Sequence, residues 1–120
     1  MNVALWVCQL LLAAIFSFSG ACKSVLSKER MVASGQTGVQ AYGVSFIRFI
    51  AVAELCGAVG LVAPRALSIA PLLTPLAALG LGVIMVGAAR AHARLHEPRN
   101  VAVNLVLLAL CLFVAIGRLA

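Results

Sequence analysis

The sequence predicts an all-α membrane protein, a four-transmembrane-helix bundle that forms a single integral membrane domain over residues 1–120. Of the 120 residues, 64% are hydrophobic and only 10% are charged, whereas about 25% of the residues in a soluble domain are charged. The apolar residues fall into four runs, and the charged residues stand mostly at the ends of these runs. A water-soluble fold of this size would expose more apolar surface than a monomer tolerates, and a bilayer removes that difficulty.

The first predicted helix covers residues 3–22, a stretch without a charged residue. Twenty helical residues, at about 1.5 Å each, are long enough to cross the apolar core of a bilayer, which is ~30 Å thick. Small residues recur at every fourth position of this helix, at Ala13, Ser17 and Ala21. Because membrane helices associate by close packing at small residues, this spacing predicts the face that contacts the other helices.

Residues 23–43 form the longest polar segment of the chain and predict a loop. Within this loop, Ser27 is a favourable N-cap and Gly35 a favourable end for one short surface helix. The second predicted helix covers residues 44–63 and is closed by Pro64.

The third predicted helix covers residues 67–89, and two interpretations of its beginning stay open. Thr74 followed by Pro75 is typical of an N-cap and a first helical residue, which would start the helix near residue 75. The alternative is one longer helix that is kinked at Pro71 and Pro75.

The fourth predicted helix covers residues 101–117 and follows a polar loop at residues 90–100. Five residues on this helix and its end are spaced alternately four and three apart, namely Asn104, Leu108, Cys111, Ala115 and Arg118. This spacing places them in one stripe. Because a polar residue stands at each end of the stripe, we predict that the stripe faces the bundle interior rather than lipid.

The distribution of Lys and Arg predicts how the chain lies in the membrane. Six of these residues lie in the loops at 23–43 and 90–100, and only Arg65 and Arg118 lie on the opposite side. The positive-inside rule then places both loops in the cytoplasm and both termini outside. The same distribution accounts for the net charge of +6 without nucleic-acid binding, since the basic residues form no patch with interleaved aromatics.

Glu54 is the residue that most strongly indicates a function. It lies about ten residues into the second predicted helix, or ~15 Å deep, which is near the middle of the bilayer. A charged residue at that depth costs at least ~2.5 kcal/mol to insert and usually marks a functional site. The alternative is a packing residue that hydrogen-bonds to serine, to backbone or to a buried base.

Arg48 precedes Glu54 by six residues on the same predicted helix. At about 100° per residue, the two side chains point about 120° apart and form no simple intrahelical pair. We expect the Arg48 side chain to extend to the cytoplasmic surface and bind lipid phosphate there. We expect the same of Lys23 at the end of the first helix.

The histidines and cysteines predict no metal and no redox site. His92 and His96 are four residues apart, as in half of a metal site, but no third ligand is spaced to complete it. A solvated helix end is the favoured interpretation. The four cysteines lie in apolar runs without a Cys-x-x-Cys pair, so no cofactor is evident.

Four segments of the chain resemble, in order, the DoxX-like family: residues 20–23, 48–64, 74–92 and 104–118. They include the run Glu-Leu-Cys-Gly-Ala-Val-Gly-Leu that begins at Glu54 and the run Thr-Pro-Leu-Ala-Ala that begins at Thr74. The positions that match the family pattern, and that we take as candidate ligand-binding residues, are Lys23, Arg48, Glu54, His92, Asn104 and Arg118.

The resemblance implies a small four-helix protein of the bacterial inner membrane. The family takes its name from a subunit associated with quinone-linked oxidation of sulfur compounds, and some relatives are linked to complexes that manage oxidative or thiol stress. The resemblance therefore implies an accessory subunit of a membrane redox or stress-response system. A quinone or another lipid-soluble ligand near Glu54 is the corresponding hypothesis.

Two other functions stay open. One is a non-catalytic membrane anchor or assembly factor that recruits a partner protein through the basic loops at 23–43 and 90–100. The other is a small oligomeric transporter, although multidrug transporters of similar size carry their membrane carboxyl in the first helix, where this chain has none. No nucleophile elbow, Walker motif or dinucleotide-binding loop occurs, so we do not expect the chain to be an enzyme on its own.

Overall fold

The computed structural model describes residues 1–119 as helices joined by short connections. The α-helices are α1 (Asn2–Val25), α2 (Lys28–Ala33), α3 (Val44–Ala66), α4 (Leu73–Arg94) and α5 (Pro98–Leu119), and a 3-10 helix covers Thr37–Ala41. Four of them, α1, α3, α4 and α5, are long and apolar enough to cross a membrane. No strand occurs in residues 1–119, which confirms the predicted all-α bundle.

The four long helices form two closely packed pairs. α1 packs along α3 and α4 packs along α5, with a further contact of α3 on α4 and a smaller one of α1 on α5. Large buried side chains fill the centre, among them Leu12, Phe16 and Leu81. The outward faces expose apolar residues such as Phe49 and Val106, as expected of surfaces that contact lipid tails.

The predicted packing face of α1 is wrong, whereas the predicted stripe of α5 is confirmed. Ser17 and Ala21 are exposed, and the buried face of α1 consists of Leu5, Gln9, Leu12, Phe16 and Gly20. One glycine gives the close approach that the small residues were expected to give. A Cβ atom on Gly20 would lie 2.8 Å from Leu55 Cγ and 3.0 Å from the Ala51 carbonyl oxygen of α3. On α5, Asn104, Cys111 and Ala115 are buried.

Replacing Gly20 with alanine should therefore push α1 away from α3. The added methyl group would overlap a backbone carbonyl as well as the flexible Leu55 side chain, and overpacking of this kind costs about 1–3 kcal/mol. Thermal unfolding in one detergent would measure the loss. Gly80→Ala on α4 is the matched control, because a Cβ atom there meets no described atom within 4 Å. Equal stability of both variants would contradict the close α1–α3 contact.

The structure differs from the sequence prediction at Pro64, because α3 continues through this proline and ends at Ala66. A proline has no N–H, so the carbonyl four residues earlier loses its helical partner. Neighbouring helices supply substitutes at this point. The Thr74 hydroxyl donates to the Gly60 carbonyl at 3.0 Å, and Gln9 Nε2 donates to the Leu61 carbonyl at 2.6 Å.

α4 begins at Leu73, with Leu72 as its N-cap. Residues 67–72, which only the longer, kinked alternative placed in the third helix, form turns and bends, and the observed start is close to the alternative that begins near residue 75. Thr74 is therefore not the N-cap. Its hydroxyl is engaged with α3 across the bundle, and this contact between two helices was not visible in the local sequence.

The segment between α1 and α3 contains the short helix that the sequence predicts. The Ser27 hydroxyl accepts a hydrogen bond from the Arg30 backbone N–H at 3.2 Å and caps α2. Gly35 follows the helix with a φ of 104°, a backbone conformation that favours glycine. Met31, Val39 and Ile47 form a buried cluster beneath this segment, which fixes α2 and the 3-10 helix against the end of the bundle.

Candidate functional site

A cavity of about 440 Å³ lies between the helices and is covered by the 3-10 segment. All four long helices contribute to its lining. The wall is mostly apolar, with residues such as Phe16, Ile47, Ile50, Ile84 and Leu107. The few polar groups on this wall come from separate elements and therefore identify what the cavity can bind.

The central polar group is the carboxylate of Glu54, which is 0% exposed. Lys23 Nζ donates to Glu54 Oε1 at 2.8 Å, and the Ser19 hydroxyl lies 3.2 and 3.3 Å from the two carboxylate oxygens. A buried charge needs both an opposite charge and hydrogen bonds. Glu54 receives them from α1, a different helix.

Two features of α1 bring Lys23 to Glu54. Ser19 and Lys23 are four residues apart and so lie on one face of the helix, and Gly20 between them allows the backbones of α1 and α3 to approach. Arg48 Nη1 donates to the backbone carbonyl of Lys23 at the last turn of α1. Arg48 thus holds the end of α1 and is not among the residues that line the cavity.

Two amide side chains on the cavity wall have buried atoms without a hydrogen-bond partner within residues 1–119. They are Asn104 Nδ2 on α5 and Gln36 Oε1 at the start of the 3-10 segment. Buried polar atoms are nearly always hydrogen-bonded in folded proteins. One free donor and one free acceptor on the same wall are therefore a specific feature of this cavity.

A second polar cluster holds the 3-10 segment against the connection between α4 and α5. The Thr37 hydroxyl donates to Glu97 Oε1 at 2.7 Å, and His92 Nδ1 lies 2.8 Å from the same oxygen. His92 also lines the cavity. The expectation of a solvated helix end therefore fits His96, which is exposed, but not His92.

Acid should loosen this cluster. The hydrogen bond with His92, and after it the bond with Thr37, hold the pKa of Glu97 below its ordinary value. A group with a lowered pKa stabilises the fold above its ordinary pKa, and the contribution is lost as the pH falls through the folded-state pKa. We expect the hydrogen-exchange protection factors of residues 36–42, which compare each rate with the intrinsic rate at the same pH, to fall at acid pH. In Glu97→Gln they should be low already at neutral pH, and unchanged protection in that variant would contradict the role of the cluster.

The structure brings together four of the six predicted site residues. Lys23, Glu54, His92 and Asn104 line the cavity. Arg48 lies beside it, and Arg118 lies near the N-terminal turns of α1, where it contacts Gln9 and Asn2. The contacts of Arg118 and the cavity therefore lie toward opposite ends of α1. This helix carries Asn2 and Gln9 in its first half and Ser19 and Lys23 in its last turns.

Sequence reasoning missed Ser19 and Gln36 as lining residues and missed Lys23 as the partner of Glu54. A signal for the pair was present, since a carboxylate predicted to lie inside the bilayer requires a partner and Lys23 is the only Lys or Arg in residues 3–23. Gln36 lies in a loop, and no periodic pattern marked its direction.

Within residues 1–119, no group of three His, Cys, Asp or Glu side chains is placed to hold a metal ion. All four cysteines are free thiols. The polar side chains that line the cavity are the Lys23–Glu54 ion pair, two hydroxyls, one imidazole and three amides, namely Ser19, Tyr42, His92, Gln36, Asn100 and Asn104.

One comparison with known proteins finds a match, and it covers the cavity. A sequence model of the DoxX-like family matches residues 7–114, and every residue that lines the cavity falls within this range. No curated protein and no solved structure matches the chain.

Proposed function

The chain belongs to the DoxX-like family and is a multi-pass integral membrane protein, and from this premise we propose that it binds a quinone or another lipid-soluble ligand beside Glu54. In this proposal it acts as an accessory subunit of a membrane redox or stress-response system. The observation that carries the proposal is the cavity itself, which joins an apolar wall to a few polar groups from separate helices.

The size and chemistry of the cavity support a ligand of this kind. Small-molecule sites typically measure about 300–1,000 Å³ and combine apolar walls with a small number of polar groups that set orientation. The volume of about 440 Å³ falls in this range. An apolar ring or chain would contact residues such as Phe16 and Leu107, and its polar end would meet the side chains around Glu54.

The two unpartnered amide atoms on the cavity lining can bind further polar groups of the ligand. Asn104 Nδ2 can donate to a carbonyl oxygen of a ligand, and Gln36 Oε1 can accept from a hydroxyl group. A quinone offers carbonyl oxygens and its reduced form offers hydroxyls, so the couple matches both atoms. Lys23 adds a further donor to the lining, because its ammonium group has three N–H bonds and Glu54 accepts only one of them.

The route of entry also favours a lipid-soluble ligand. Phe46 on α3 and Val83 on α4 both line the cavity, yet they are 48% and 71% exposed. On a membrane-spanning helix such exposure means contact with lipid. The cavity therefore reaches the hydrocarbon region between α3 and α4, and a ligand dissolved in the bilayer can enter from the side.

Gentle purification from native membrane, followed by mass spectrometry of the bound small molecules, tests the proposal. A quinone or other lipid-soluble compound should be retained in a fixed ratio, and a short-chain ubiquinone should compete for the site. Glu54→Gln should lose the compound, whereas Glu29→Gln should keep it, because Glu29 is an exposed carboxylate on α2. Equal retention by both variants would contradict a site at Glu54.

A membrane anchor is the second candidate function, and the exposed arginines favour it. Arg30, Arg90, Arg94 and Arg99 are exposed at or near the ends of the helices, and none pairs with a carboxylate within residues 1–119. Neutralising Arg30, Arg94 and Arg99 together should release a protein partner if they recruit one. Lys28 is a poor choice for this test because its Nζ donates to the Tyr42 carbonyl at 2.7 Å.

The sidedness follows as part of the proposal. We place the loops at 23–43 and 90–100 in the cytoplasm and both termini outside a bacterial inner membrane, on the positive-inside rule. A reporter fused to the C-terminus that is active only outside the cytoplasm would test this orientation. Activity of a cytoplasm-specific reporter at the same position would reverse it.

A further inference from the structure

Arg118 is held in a fixed position at the end of the bundle that is remote from Glu54. Its Nε donates to Gln9 Oε1 at 2.6 Å, and its Nη1 donates to Asn2 Oδ1 at 2.8 Å. Its Cζ atom lies 5.5 Å from the centroid of the Trp6 ring. These contacts orient the guanidinium group, but Gln9 and Asn2 are neutral and leave its charge uncompensated.

A second cavity lies beside this arginine. Its volume is about 360 Å³, and its lining consists of Asn2, Trp6, Arg65, Ser68 and Pro71. Two of these residues, Asn2 and Trp6, are the ones that contact Arg118. Arg65 of α3 therefore lines a polar cavity, Arg118 of α5 lies beside it, and Ser68 adds a hydroxyl group.

The positive charge at this cavity has no counterpart within residues 1–119. The two ion pairs in residues 1–119 are Lys23–Glu54 and His92–Glu97, and both belong to the first cavity and the segment that covers it. Arg118 Nη2 is buried and has no hydrogen-bond partner among the described residues. Two partly buried guanidinium groups without a counter-charge among the described residues are costly, so the arrangement favours an external anion.

We propose that this cavity binds a phosphate-type anion, with Arg65 and Arg118 as its cationic ligands and Trp6 as its aromatic wall. The planar guanidinium group presents paired N–H donors that match phosphate oxygens, and two such groups can hold one phosphate from two sides. The phosphodiester of an anionic lipid, whose charge no choline group compensates, and a free inorganic phosphate share this chemistry.

The second cavity lies at a level of the membrane where both lipid headgroups and dissolved phosphate can reach it. Residues 2 and 23 stand at opposite ends of α1, about 30 Å apart at the helical rise, which equals the thickness of the apolar core. With Lys23 near one surface, Asn2 and Trp6 lie near the other. Tryptophan is enriched at this level of the membrane, where lipid phosphates and dissolved anions are both present.

Thermal unfolding of the purified full chain separates the two sources. One arm adds inorganic phosphate in a neutral detergent, against chloride at equal ionic strength. The other compares nanodiscs of phosphatidylcholine alone with nanodiscs that also contain phosphatidylglycerol, and mass spectrometry identifies retained lipid. Stabilisation in the lipid arm alone assigns a headgroup, and stabilisation by inorganic phosphate assigns a free anion.

The variants decide whether the cavity is responsible. Arg65→Gln should weaken binding about tenfold or more, the order expected for one charge-assisted contact. Arg118→Gln should do the same, but it also loses the hydrogen bonds to α1, so Arg65→Gln, whose side chain makes no hydrogen bond to residues 1–119, is the decisive variant. Arg99→Gln is the control, because Arg99 is exposed at the start of α5. Equal binding by Arg65→Gln and Arg99→Gln, or no stabilisation in either arm, would overturn the proposal.

Discussion

Replacing Lys23 with methionine should lower the free energy of unfolding of the bundle by about 3–5 kcal/mol, the usual cost of leaving one member of a buried ion pair alone. The Glu54 side chain is 1% exposed and the Lys23 side chain 15%. Methionine keeps most of the length of the lysine side chain, so the loss would come from the missing charge. Only Ser19 would then remain to donate to the carboxylate.

Replacing Glu54 with glutamine should lower the free energy of unfolding much less than replacing Lys23 with methionine. In Glu54→Gln the lysine lies near the end of α1 and can extend toward the membrane surface, where its charge is solvated. The amide of the new glutamine can still accept from the Ser19 hydroxyl. The double variant Lys23→Met/Glu54→Gln should recover most of the loss of Lys23→Met, since no buried charge remains.

Thermal unfolding of the three variants in one detergent gives this double-mutant cycle. A coupling free energy of about 2 kcal/mol or more would show that the pair acts as a unit. If Lys23→Met unfolds at the same temperature as the wild type, the Lys23–Glu54 contact contributes nothing to stability. In that case, the role of Glu54 would rest on ligand binding alone.

The sequence was sufficient for the fold because the bilayer imposes a simple rule. A spanning segment must satisfy its backbone internally and present apolar side chains to lipid, so runs of apolar residues identify the helices directly. The stripe through Asn104 and Cys111 on α5 was predictable for the same reason, since polar and small residues avoid lipid. Glu54 was found from depth alone.

Contacts between helices were harder to predict. On α1, the regular spacing of Ala13, Ser17 and Ala21 suggested a packing face, but the face that packs is set by Gly20 and four large residues. Small size permits close packing without requiring it, and the spacing of one helix does not say which face its neighbour takes. At Pro64, the Gly60 carbonyl left free by the proline accepts from Thr74, and the neighbouring Leu61 carbonyl accepts from Gln9. Both donors come from other helices.

The site shows the same limit. Arg48 and Glu54 lie on one helix, where the spacing fixes the angle between their side chains and predicts no ion pair. The actual partner, Lys23, comes from another helix, and its position depends on the rotation of α1 about its axis. Gln36 depends on the path of a loop, which no periodicity determines.

Substituting phenylalanine for Gly87 should abolish ligand retention while leaving the bundle intact. Gly87 lines the cavity, and a Cβ atom on it would meet no described atom within 4 Å. A Cβ atom can therefore be added there without displacing a neighbour, and we expect the phenyl ring beyond it to narrow the exposed side of the cavity. Glycine is about 1 kcal/mol less favourable than alanine inside a helix, so the change also removes a helix-weakening residue.

Gly80→Phe is the matched control. Gly80 lies seven residues earlier on α4, close to the same face, and a Cβ atom there also meets open space, but Gly80 does not line the cavity. We expect a short-chain ubiquinone, or the compound that co-purifies, to bind Gly87→Phe at least about tenfold more weakly than Gly80→Phe, a difference of ~1.4 kcal/mol. Both variants should unfold near the wild-type temperature.

This comparison separates occupancy of the cavity from the chemistry of Glu54. Loss of binding in Glu54→Gln alone could reflect a rearranged ion pair, whereas Gly87→Phe leaves Lys23, Ser19 and Glu54 unchanged. If both variants lose the ligand and both stay folded, the ligand lies in the cavity and uses the carboxylate. Full binding by Gly87→Phe would place the ligand elsewhere, and the cavity would then be a packing defect between two helix pairs.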